Sequence, residues 1–248
     1  EAGKLQRYAH IGTGNYHPGT ANLYEDIGLF TCNDDLCADV SDVFNYLTGF
    51  APNQTYRKLL VAPNYLRKTF SDLVDFEINE SKNGRASRII CKMNSLEDPL
   101  LIQKIYEASQ AGVQIDMVVR GVCRLKPGIE GLSENIRVHS IIGRFLEHSR
   151  LFYFMHGGKD LYYLGSADIM HRNLDARVEV ITPVDHPRLK TYLQFILFVC
   201  LRDNSQRWSL ESDGVYRKHA KDADDYEVAT HKILMHHSAQ QREPVPRA

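Results

Sequence analysis

HIGTGNY, at residues 10–16, aligns with LYYLGSADIM, at residues 161–170, when the two stretches are compared at an offset of 153 positions. Four pairs of similar residues then coincide without a gap: Gly12 with Gly165, Thr13 with Ser166, Asn15 with Asp168 and Asp26 with Glu179. Each copy has the order of a strand, a Gly-[Ser/Thr]-small-[Asn/Asp] turn, a short connection, an acidic residue and a second strand. Because similarity at a fixed offset is the signature of a repeated unit, we predict a duplicated domain.

The two copies differ in how much sequence precedes them. More than 100 residues, with two predicted helices and several strands, precede Gly165, whereas eleven residues precede Gly12. We therefore predict that residues 1–53 are the C-terminal part of a first domain, that 54–216 form a complete second domain, and that 217–248 are a polar C-terminal tail. On this interpretation the chain is an N-terminally truncated fragment.

Composition and charge exclude several classes of protein. Of the 248 residues, 43% are hydrophobic and 25% charged, with 30 basic and 31 acidic side chains. The net charge of -1 provides no general field for a polyanion, so a phosphate-rich ligand requires a local cluster of Lys and Arg. Five cysteines without a CxxC pair disfavour a disulfide framework or a zinc knuckle. The most apolar run, residues 192–201, is about half a membrane span and no signal peptide is visible, so we expect a soluble intracellular protein.

Hydrophobic periodicity predicts alternating helices and strands from residue 63 onward. The predicted helices cover 63–84, 95–112 and 187–203; the predicted strands cover 88–94, 113–121, 135–143 and 177–184, with a hairpin of 150–158 and 160–166. This order predicts an α/β fold, with a mixed sheet covered by helices on both faces. The polar sequence after residue 217 contains His231, His236 and His237, but no carboxylate or cysteine in register with them. We interpret it as a loosely ordered tail and not as a metal site.

His148 is the first candidate for chemistry. It lies between Glu147 and Arg150, at the start of a predicted strand and 17 residues before Gly165. A histidine at a strand end, facing a Gly-Ser turn on the neighbouring strand, can pass a phosphoryl group or a proton. The alternative is a half-buried structural histidine that is bonded to Glu147.

Arg120 is the second candidate, because it ends a predicted strand and ligands collect at the carboxyl ends of strands in open α/β sheets. Guanidinium groups pair bidentately with phosphate oxygens. If the repeat is real, four further arginines are predicted to converge with Arg120: Arg144, Arg150, Arg172 and Arg177. The alternative is that each of them is a solvated surface charge.

HIGTGNY itself fits neither of the common phosphate loops, because GxGxxG and GxxxxGK[ST] are both absent. Two interpretations remain open. It is a tight turn, or it is half of a two-sided phosphate site in which His10 and Asn15 point to a shared cleft.

Several stretches resemble the long form of bacterial polyphosphate kinase, whose two C-terminal domains are built like phospholipase D. The resemblance runs from about residue 1 to about residue 216 and is carried by RYAHIGTGNY (7–16), YRKLLVAP (56–63), KMNSLEDP (92–99), YEASQAGV (106–113), RGVCRLKPGIEGLSENIRVHSIIGRFLEHSR (120–150), GSAD (165–168) and RNLDARVEV (172–180). It implies a phospholipase D-like mixed sheet flanked by helices, with one complete domain and the back part of a preceding one.

The resemblance implies reversible transfer of the ATP γ-phosphate to inorganic polyphosphate through a phosphohistidine, with Mg²⁺. In the family the phosphorylated histidine belongs to an HxK motif shortly before HIGTGNY, and no such motif precedes His10 here. The nucleophile and the magnesium-binding residues are therefore expected upstream, no metal ligand is expected in this chain, and the isolated chain is expected to be inactive.

Individual site residues also follow from the resemblance. His148 matches the family's second essential histidine, which acts as a general acid or stabilises the transferring phosphoryl group. Nucleotide contacts carry over to Tyr24, Arg120 and His148, and His10 matches a histidine that is necessary for activity, with a less settled role. The sequence departs from the family pattern at five positions: His17, Asn22, Ile169, His171 and Ala176. These departures put phosphate contacts at Asn22 and Ala176 in doubt.

Two other functions remain as alternatives. A phosphodiesterase of the phospholipase D superfamily is weakened because no HxKxxxxD motif is present. A non-catalytic polyphosphate-binding module is disfavoured by the near-zero net charge. The expected partners are ATP or ADP and polyphosphate, without nucleic acid or a transmembrane segment, in a full-length protein that forms a homo-oligomer. The expected location is the bacterial cytoplasm, with peripheral membrane association left open.

Overall fold

Helical and strand periods alternate along the chain. In the computed structural model the described strands form one nine-stranded mixed sheet, with helices on both faces, and two sheets of two strands each. The structure describes residues 5–50, 55–219, 221 and 224–240. The strands within these residues are β1 (Ala9–Gly12), β2 (Tyr24–Glu25), β3 (Gly28–Thr31), β4 (Leu60–Val61), β5 (Arg88–Met93), β6 (Gln114–Val119), β7 (Ile136–Ile141), β8 (Leu146–Glu147), β9 (Arg150–Phe154), β10 (Leu161–Gly165), β11 (Val180–Pro183), β12 (Arg207–Leu210) and β13 (Tyr216–Lys218). The helices are α1 (Pro18–Ala21), α2 (Asp34–Leu47), α3 (Leu66–Lys82), α4 (Pro99–Gln110), α5 (His171–Asp175), α6 (Pro187–Arg202) and α7 (Thr230–Gln240).

Helix boundaries follow from capping residues in the sequence. Asn33 and Asp98 are the N-caps of α2 and α4, and each side chain accepts a hydrogen bond from a backbone N–H three residues later. Pro99 occupies the first turn of α4, where a missing N–H costs nothing. The helix α3 is followed by Gly84, whose φ of 71° suits the left-handed conformation that often ends a helix.

Nine of the described strands form one sheet in the order β13-β12-β7-β6-β5-β9-β10-β11-β4. The central strands β5, β6 and β7 are parallel, and the other pairs are antiparallel. The predicted mixed sheet is therefore confirmed, including the hairpin of β9 and β10. In such a sheet the carboxyl ends of the parallel strands share one edge, which is where a site is expected.

Two apolar layers cover the sheet. One joins α3 and α4 to the sheet through buried side chains such as Phe70, Ile105 and Phe154. The other joins α6 to the opposite face through Leu193, Leu197 and Val118. Burial of the apolar stripe of each helix is what holds these layers together, at roughly 25 cal/mol per Å² of apolar surface removed from water.

The predicted repeat is present in the backbone. The strand pair β1–β3 aligns Gly12 with Gly28, and β10–β11 aligns Gly165 with Ile181, which is the same register 153 residues later. The side-chain pattern is repeated as well. Thr13 donates to Asp26 and accepts from the N–H of Ile27, and in the second copy Ser166 donates to Glu179 and accepts from the N–H of Val180. The helices α1 and α2 match α5 and α6 in the same way.

The C-terminal region differs from the prediction. Residues after 217 were expected to be loosely ordered, but α7 spans Thr230–Gln240 and begins with two buried residues, Thr230 and His231. The backbone N–H of Thr230 donates to Asp203, which anchors the start of the helix at 2.8 Å. Only the first turn of α7 is buried. Its sequence therefore lacks the periodic apolar stripe from which helices are usually predicted.

Other predictions lie partly outside the described residues. The boundary between residues 53 and 54 falls there, as do residues 241–248 of the predicted tail. No helix in the described part of the chain is long and apolar enough to cross a membrane.

Candidate active site

The site begins with a short parallel pairing between β2 and β8. Tyr24 lies beside Leu146, and Glu25 beside Glu147. Because the strands run in the same direction, the next residues on each, Asp26 and His148, also lie side by side. His148 Nδ1 and Asp26 Oδ1 are 2.8 Å apart, although 122 residues separate them in the sequence.

His148 is therefore held by groups from the first copy of the repeat. Its side chain is 9% exposed, and its ring centroid lies 4.7 Å from that of Tyr24. Thr13 Oγ1 donates to the same Asp26 oxygen at 2.8 Å. A carboxylate only accepts, so the pairing assigns a proton to His148 Nδ1 and leaves Nε2 as the ring nitrogen that no carboxylate engages among the described residues. The alternative of a histidine bonded to Glu147 is wrong, since Glu147 has other partners.

Arg150 brings a fixed positive charge to the same place. Its Nη1 donates to the carbonyl oxygens of Thr13 and His148 at 2.8 and 2.9 Å, and it lies 3.2 Å from His148 Nε2. Its Nη2 is 3.2 Å from Asp168, whose other oxygen accepts from the N–H of Asn94 at 2.7 Å. The guanidinium is thus oriented by both copies of the repeat at once.

Beneath this layer is a buried cluster around Lys92. The ammonium group lies 2.6 Å from Glu147, 3.0 Å from Glu25 and 2.6 Å from Ser149 Oγ. Burial disfavours the charged ammonium, but the Glu147 and Glu25 carboxylates outweigh it and raise the pKa of Lys92 above its usual value. Burial also opposes ionisation of Glu147, but Lys92 and His231 hold the pKa of this carboxyl below its usual range. Lys92 and Glu147 therefore form a charged ion pair inside the protein.

His10 and Tyr24 line a common cavity of about 470 Å³, together with Asn15 and Asp26. The His10 ring stacks on Phe30 at a centroid distance of 4.2 Å, and its Nε2 contacts Tyr16 Oη. Asn15 and His10 do face a shared cleft, as the second interpretation of HIGTGNY requires. In the described part of the chain, no hydrogen bond or ring contact joins His10 to His148.

Arg120 follows the last residue of β6, at the sheet edge that also carries His148. The two are linked through Asn94, which accepts from the N–H of Gly121 at 2.8 Å and donates its side-chain N–H to the His148 carbonyl at 3.2 Å. The Arg120 side chain itself lines a separate pocket of about 210 Å³ with Ser140 and Trp208, and its buried Nε has no hydrogen-bond partner. The structure therefore brings Tyr24 and His148 together, with Arg120 at the same edge but outside their contacts.

In the described residues, no hydrogen bond, ion pair or ring contact joins Arg120 to any of the four arginines predicted to converge with it, and Arg150 lies at His148 instead. Arg144, Arg172 and Arg177 are exposed. Arg144 lies over the ring of Phe145, and Arg177 reaches to within 3.9 Å of Glu179. These residues lie on loops or on the outer turn of α5, where their side chains extend into solvent.

A metal site is not supported by the described residues. Across residues 5–50, 55–219, 221 and 224–240, no group of three or more His, Cys, Asp or Glu side chains could hold a metal ion. The two carboxylates beside His148 are already engaged, Asp26 by Thr13 and His148, and Asp168 by Arg150 and Asn94. The donor set present here therefore does not fit Mg²⁺.

Sequence reasoning did not find the partners of His148. Asp26 was noted only as the acidic residue of the repeat, and its match in the second copy, Glu179, bonds within its own turn to Ser166 and Asn173. Lys92 lies in a predicted strand, and its burial cannot be read from the sequence. The available signal was the HSR sequence at 148–150, in which an arginine two residues after the histidine is directed to the same edge of the sheet.

Comparison with known proteins shows which family the chain is similar to. Residues 1–53 match the family model described as polyphosphate kinase C-terminal domain 1, and residues 59–230 match polyphosphate kinase C-terminal domain 2. A polyphosphate kinase of Thermosynechococcus vestitus is 53% identical over 235 residues, which are 95% of this chain and 32% of that protein. One from Pseudomonas aeruginosa is 50% identical over 218 residues, 88% of this chain and 32% of that protein.

A solved structure gives the same result. The crystal structure of polyphosphate kinase from Porphyromonas gingivalis superimposes with a TM-score of 0.91 at 34% identity, over 98% of this chain and 37% of that one. The chain thus spans about a third of the length of these relatives. The two family models together match residues 1–53 and 59–230, and the chain belongs to the polyphosphate kinase C-terminal domain family.

Proposed function

We propose that this chain is the C-terminal part of a polyphosphate kinase that transfers the γ-phosphate of ATP reversibly to inorganic polyphosphate. The observation that carries the proposal is the contact of His148 with Asp26 and Tyr24, since it joins an imidazole from one copy of the repeat to a carboxylate and an aromatic ring from the other. The match of residues 1–53 and of residues 59–230 to polyphosphate kinase family models supports the same reaction.

The chemistry of phosphoryl transfer suits these residues. The reaction depends on in-line positioning and on neutralising charge around the transferring group more than on covalent help from the protein. With Nδ1 engaged by Asp26, His148 in its doubly protonated form can donate a proton or a hydrogen bond from Nε2 to a phosphoryl oxygen. Arg150 supplies a fixed positive charge 3.2 Å from that nitrogen. We assign His148 the role of general acid, or stabiliser, of the transferring phosphoryl group.

We further propose that ATP is bound through Tyr24, Arg120 and His148. Tyr24 offers a ring beside His148, and the unpartnered Nε of Arg120 leaves a donor for an anionic group. His10 is proposed to act from the opposite wall of the cavity that it shares with Tyr24. The phosphohistidine is proposed to come from outside this sequence, because no HxK motif precedes His10. Mg²⁺ is expected with the nucleotide, through ligands that the described residues do not supply.

Location and assembly follow from the same proposal. ATP as phosphoryl donor implies action in the cytoplasm. The full-length protein is proposed to be a homo-oligomer, which sedimentation of that protein would test.

The test uses a hybrid enzyme in which this chain replaces the matching C-terminal part of the Thermosynechococcus vestitus polyphosphate kinase. The hybrid is expected to make polyphosphate from ATP, and His148→Gln is expected to lower the rate by at least about 100-fold, as the loss of a general acid does. His186→Gln, at an exposed histidine, is the matched control and is expected to leave the rate unchanged. A folded His148→Gln hybrid that keeps the wild-type rate would remove His148 from the reaction.

A further inference from the structure

The strand β8, which leads directly into His148, is held from two sides by buried side chains. Glu147 is 4% exposed and has one carboxylate oxygen 2.6 Å from Lys92 Nζ and the other 2.6 Å from His231 Nε2. Lys92 belongs to the central sheet, whereas His231 belongs to α7. The C-terminal helix thus reaches the peptide that carries the candidate catalytic histidine.

Both ring nitrogens of His231 are used. Nδ1 accepts a hydrogen bond from the backbone N–H of Phe145 at 3.3 Å, so this nitrogen carries no proton. Nε2 must then carry the proton and donate it to Glu147. The side chain is 2% exposed, and the preceding residue, Thr230, is fixed through its N–H by Asp203. Through these two hydrogen bonds, His231 holds residues 145–147 in place.

The hydrogen bonds of His231 support the pairing of β2 with β8, which is electrostatically unfavourable by itself. Glu25 and Glu147 lie directly opposite each other on β2 and β8, and like charges in that position repel. Lys92 lies between them and compensates for one negative charge. Each carboxylate also accepts a second hydrogen bond: Glu147 from the Nε2–H of His231, and Glu25 from the Ser149 hydroxyl. The register of β2 against β8 is what places Asp26 beside His148.

We propose that His231 is a positioning residue for His148: by holding Glu147 opposite Glu25, it keeps the β2–β8 pairing in the register that sets Asp26 against the imidazole. The proposal rests on the function proposed above only where it assigns His148 to phosphoryl transfer. It gives the C-terminal helix a role at the site, although no residue of α7 touches His148 within the described chain.

Two substitutions separate the two contacts of His231. In His231→Gln the longer amide can place an N–H near the position of Nε2 and keep the bond to Glu147. In His231→Asn the shorter amide can accept from Phe145 but cannot reach Glu147. His236→Asn, at an exposed position of the same helix, is the matched control. Thermal unfolding of the 248-residue chain verifies that each variant is folded.

The first readout is NMR of the 248-residue chain, in which the His148 Nδ1–H resonance is assigned by its absence in His148→Gln. We expect this resonance to persist in His231→Gln and His236→Asn and to be lost or shifted in His231→Asn. The second readout is polyphosphate synthesis by the hybrid enzyme. There we expect His231→Asn to lower kcat by about 10- to 100-fold and to raise the KM for ATP by a smaller factor, because displaced catalytic groups lose rate more than binding.

The outcomes distinguish this inference from the proposed function. A His231→Asn variant that keeps both the resonance and kcat overturns the inference, as does an equal loss in the Asn and Gln variants, which indicates a packing role. If the unmodified hybrid makes no polyphosphate while the resonance still separates Asn from Gln, the positioning of His148 is supported and the proposed function is refuted.

Discussion

Replacing Lys92 by methionine removes the ammonium group that lies between two carboxylates and leaves a side chain of similar length. Lys92 is 2% exposed, and its partners Glu147 and Glu25 have side chains that are 4% and 15% exposed. Breaking a buried ion pair by deleting one partner costs about 3–5 kcal/mol, because the other charge is left uncompensated. Since two carboxylates lose their counter-ion here, we expect the upper part of this range for Lys92→Met.

Lys104→Met is the matched control. Lys104 also has two carboxylate partners, Asp75 and Glu107, each at 3.0 Å, but its side chain is 24% exposed and theirs are more than 40% exposed. Ion pairs in contact with water contribute about 0–1 kcal/mol. The two substitutions are the same in chemistry and in the number of partners. The difference between their effects therefore measures the contribution of burial.

The pH dependence has a definite sign. In the unmodified chain the folded pKa of Glu147 is lowered, so its stabilising contribution is present above the unfolded pKa of about 4.3 and is lost as the pH falls through the folded pKa. In Lys92→Met the buried carboxylate lacks its counter-ion, so its folded pKa rises above about 4.3. The penalty is then largest at neutral pH and is relieved as the pH falls through the raised pKa.

The assay is urea or thermal unfolding of the 248-residue chain at pH 7 and pH 5, followed by circular dichroism. At pH 7 we expect Lys92→Met to lower the midpoint by about 10 °C, at 2–4 °C per kcal/mol for a chain of this size, and Lys104→Met by a few degrees at most. The difference in unfolding midpoint between Lys92→Met and the unmodified chain should be smaller at pH 5 than at pH 7. Equal losses for the two lysines, or a gap that widens on acidification, would refute the reasoning.

One further prediction concerns the two equivalent glycines of the repeat, Gly12 and Gly165, and another concerns the buried His139 on β7. A Cβ on Gly165 would lie 2.2 Å from the Val180 carbonyl oxygen, whereas at the equivalent Gly12 the nearest atom is the side-chain oxygen Tyr16 Oη at 3.0 Å. A side chain gives way more easily than backbone, so Gly165→Ala should cost about 1–3 kcal/mol in urea unfolding and Gly12→Ala clearly less. Equal costs would contradict the close approach at Gly165. Burial, reinforced by the charge of Arg207, lowers the pKa of His139 to about 4. The contribution of the neutral His139 to stability is present above about pH 6.5 and is lost as the pH falls toward 4. The NMR resonance of its ring protons should therefore not shift between about pH 5.5 and 8. A titration midpoint near pH 6.5 would show that the ring is accessible to water.

The elements of the sheet could be predicted because their signals are local. The apolar period of α3, the β-branched run of β6 and the Gly-Gly turn between β9 and β10 each lie within a window of about 20 residues. The repeat could also be found, because an offset comparison needs only the order of residues. Helix α7 was missed since burial of one turn leaves no periodic pattern.

The site was only partly predictable for a different reason. His148 and Arg120 could be selected from their positions at strand ends, but Asp26 is 122 residues from His148 and no spacing rule joins them. A buried lysine and a surface lysine are also identical in sequence, so Lys92 could not be distinguished from Lys104.

The sequence alone determined the order of helices and strands and the recurrence of one strand-turn-strand pattern at an offset of 153 residues, because side-chain period and repeat offset are properties of residue order. The tertiary structure alone decided which residues of one copy meet those of the other. The β2–β8 register, the charge balance around Lys92 and the reach of His231 to Glu147 depend on packing between distant segments, and packing is settled only when the whole sheet has formed.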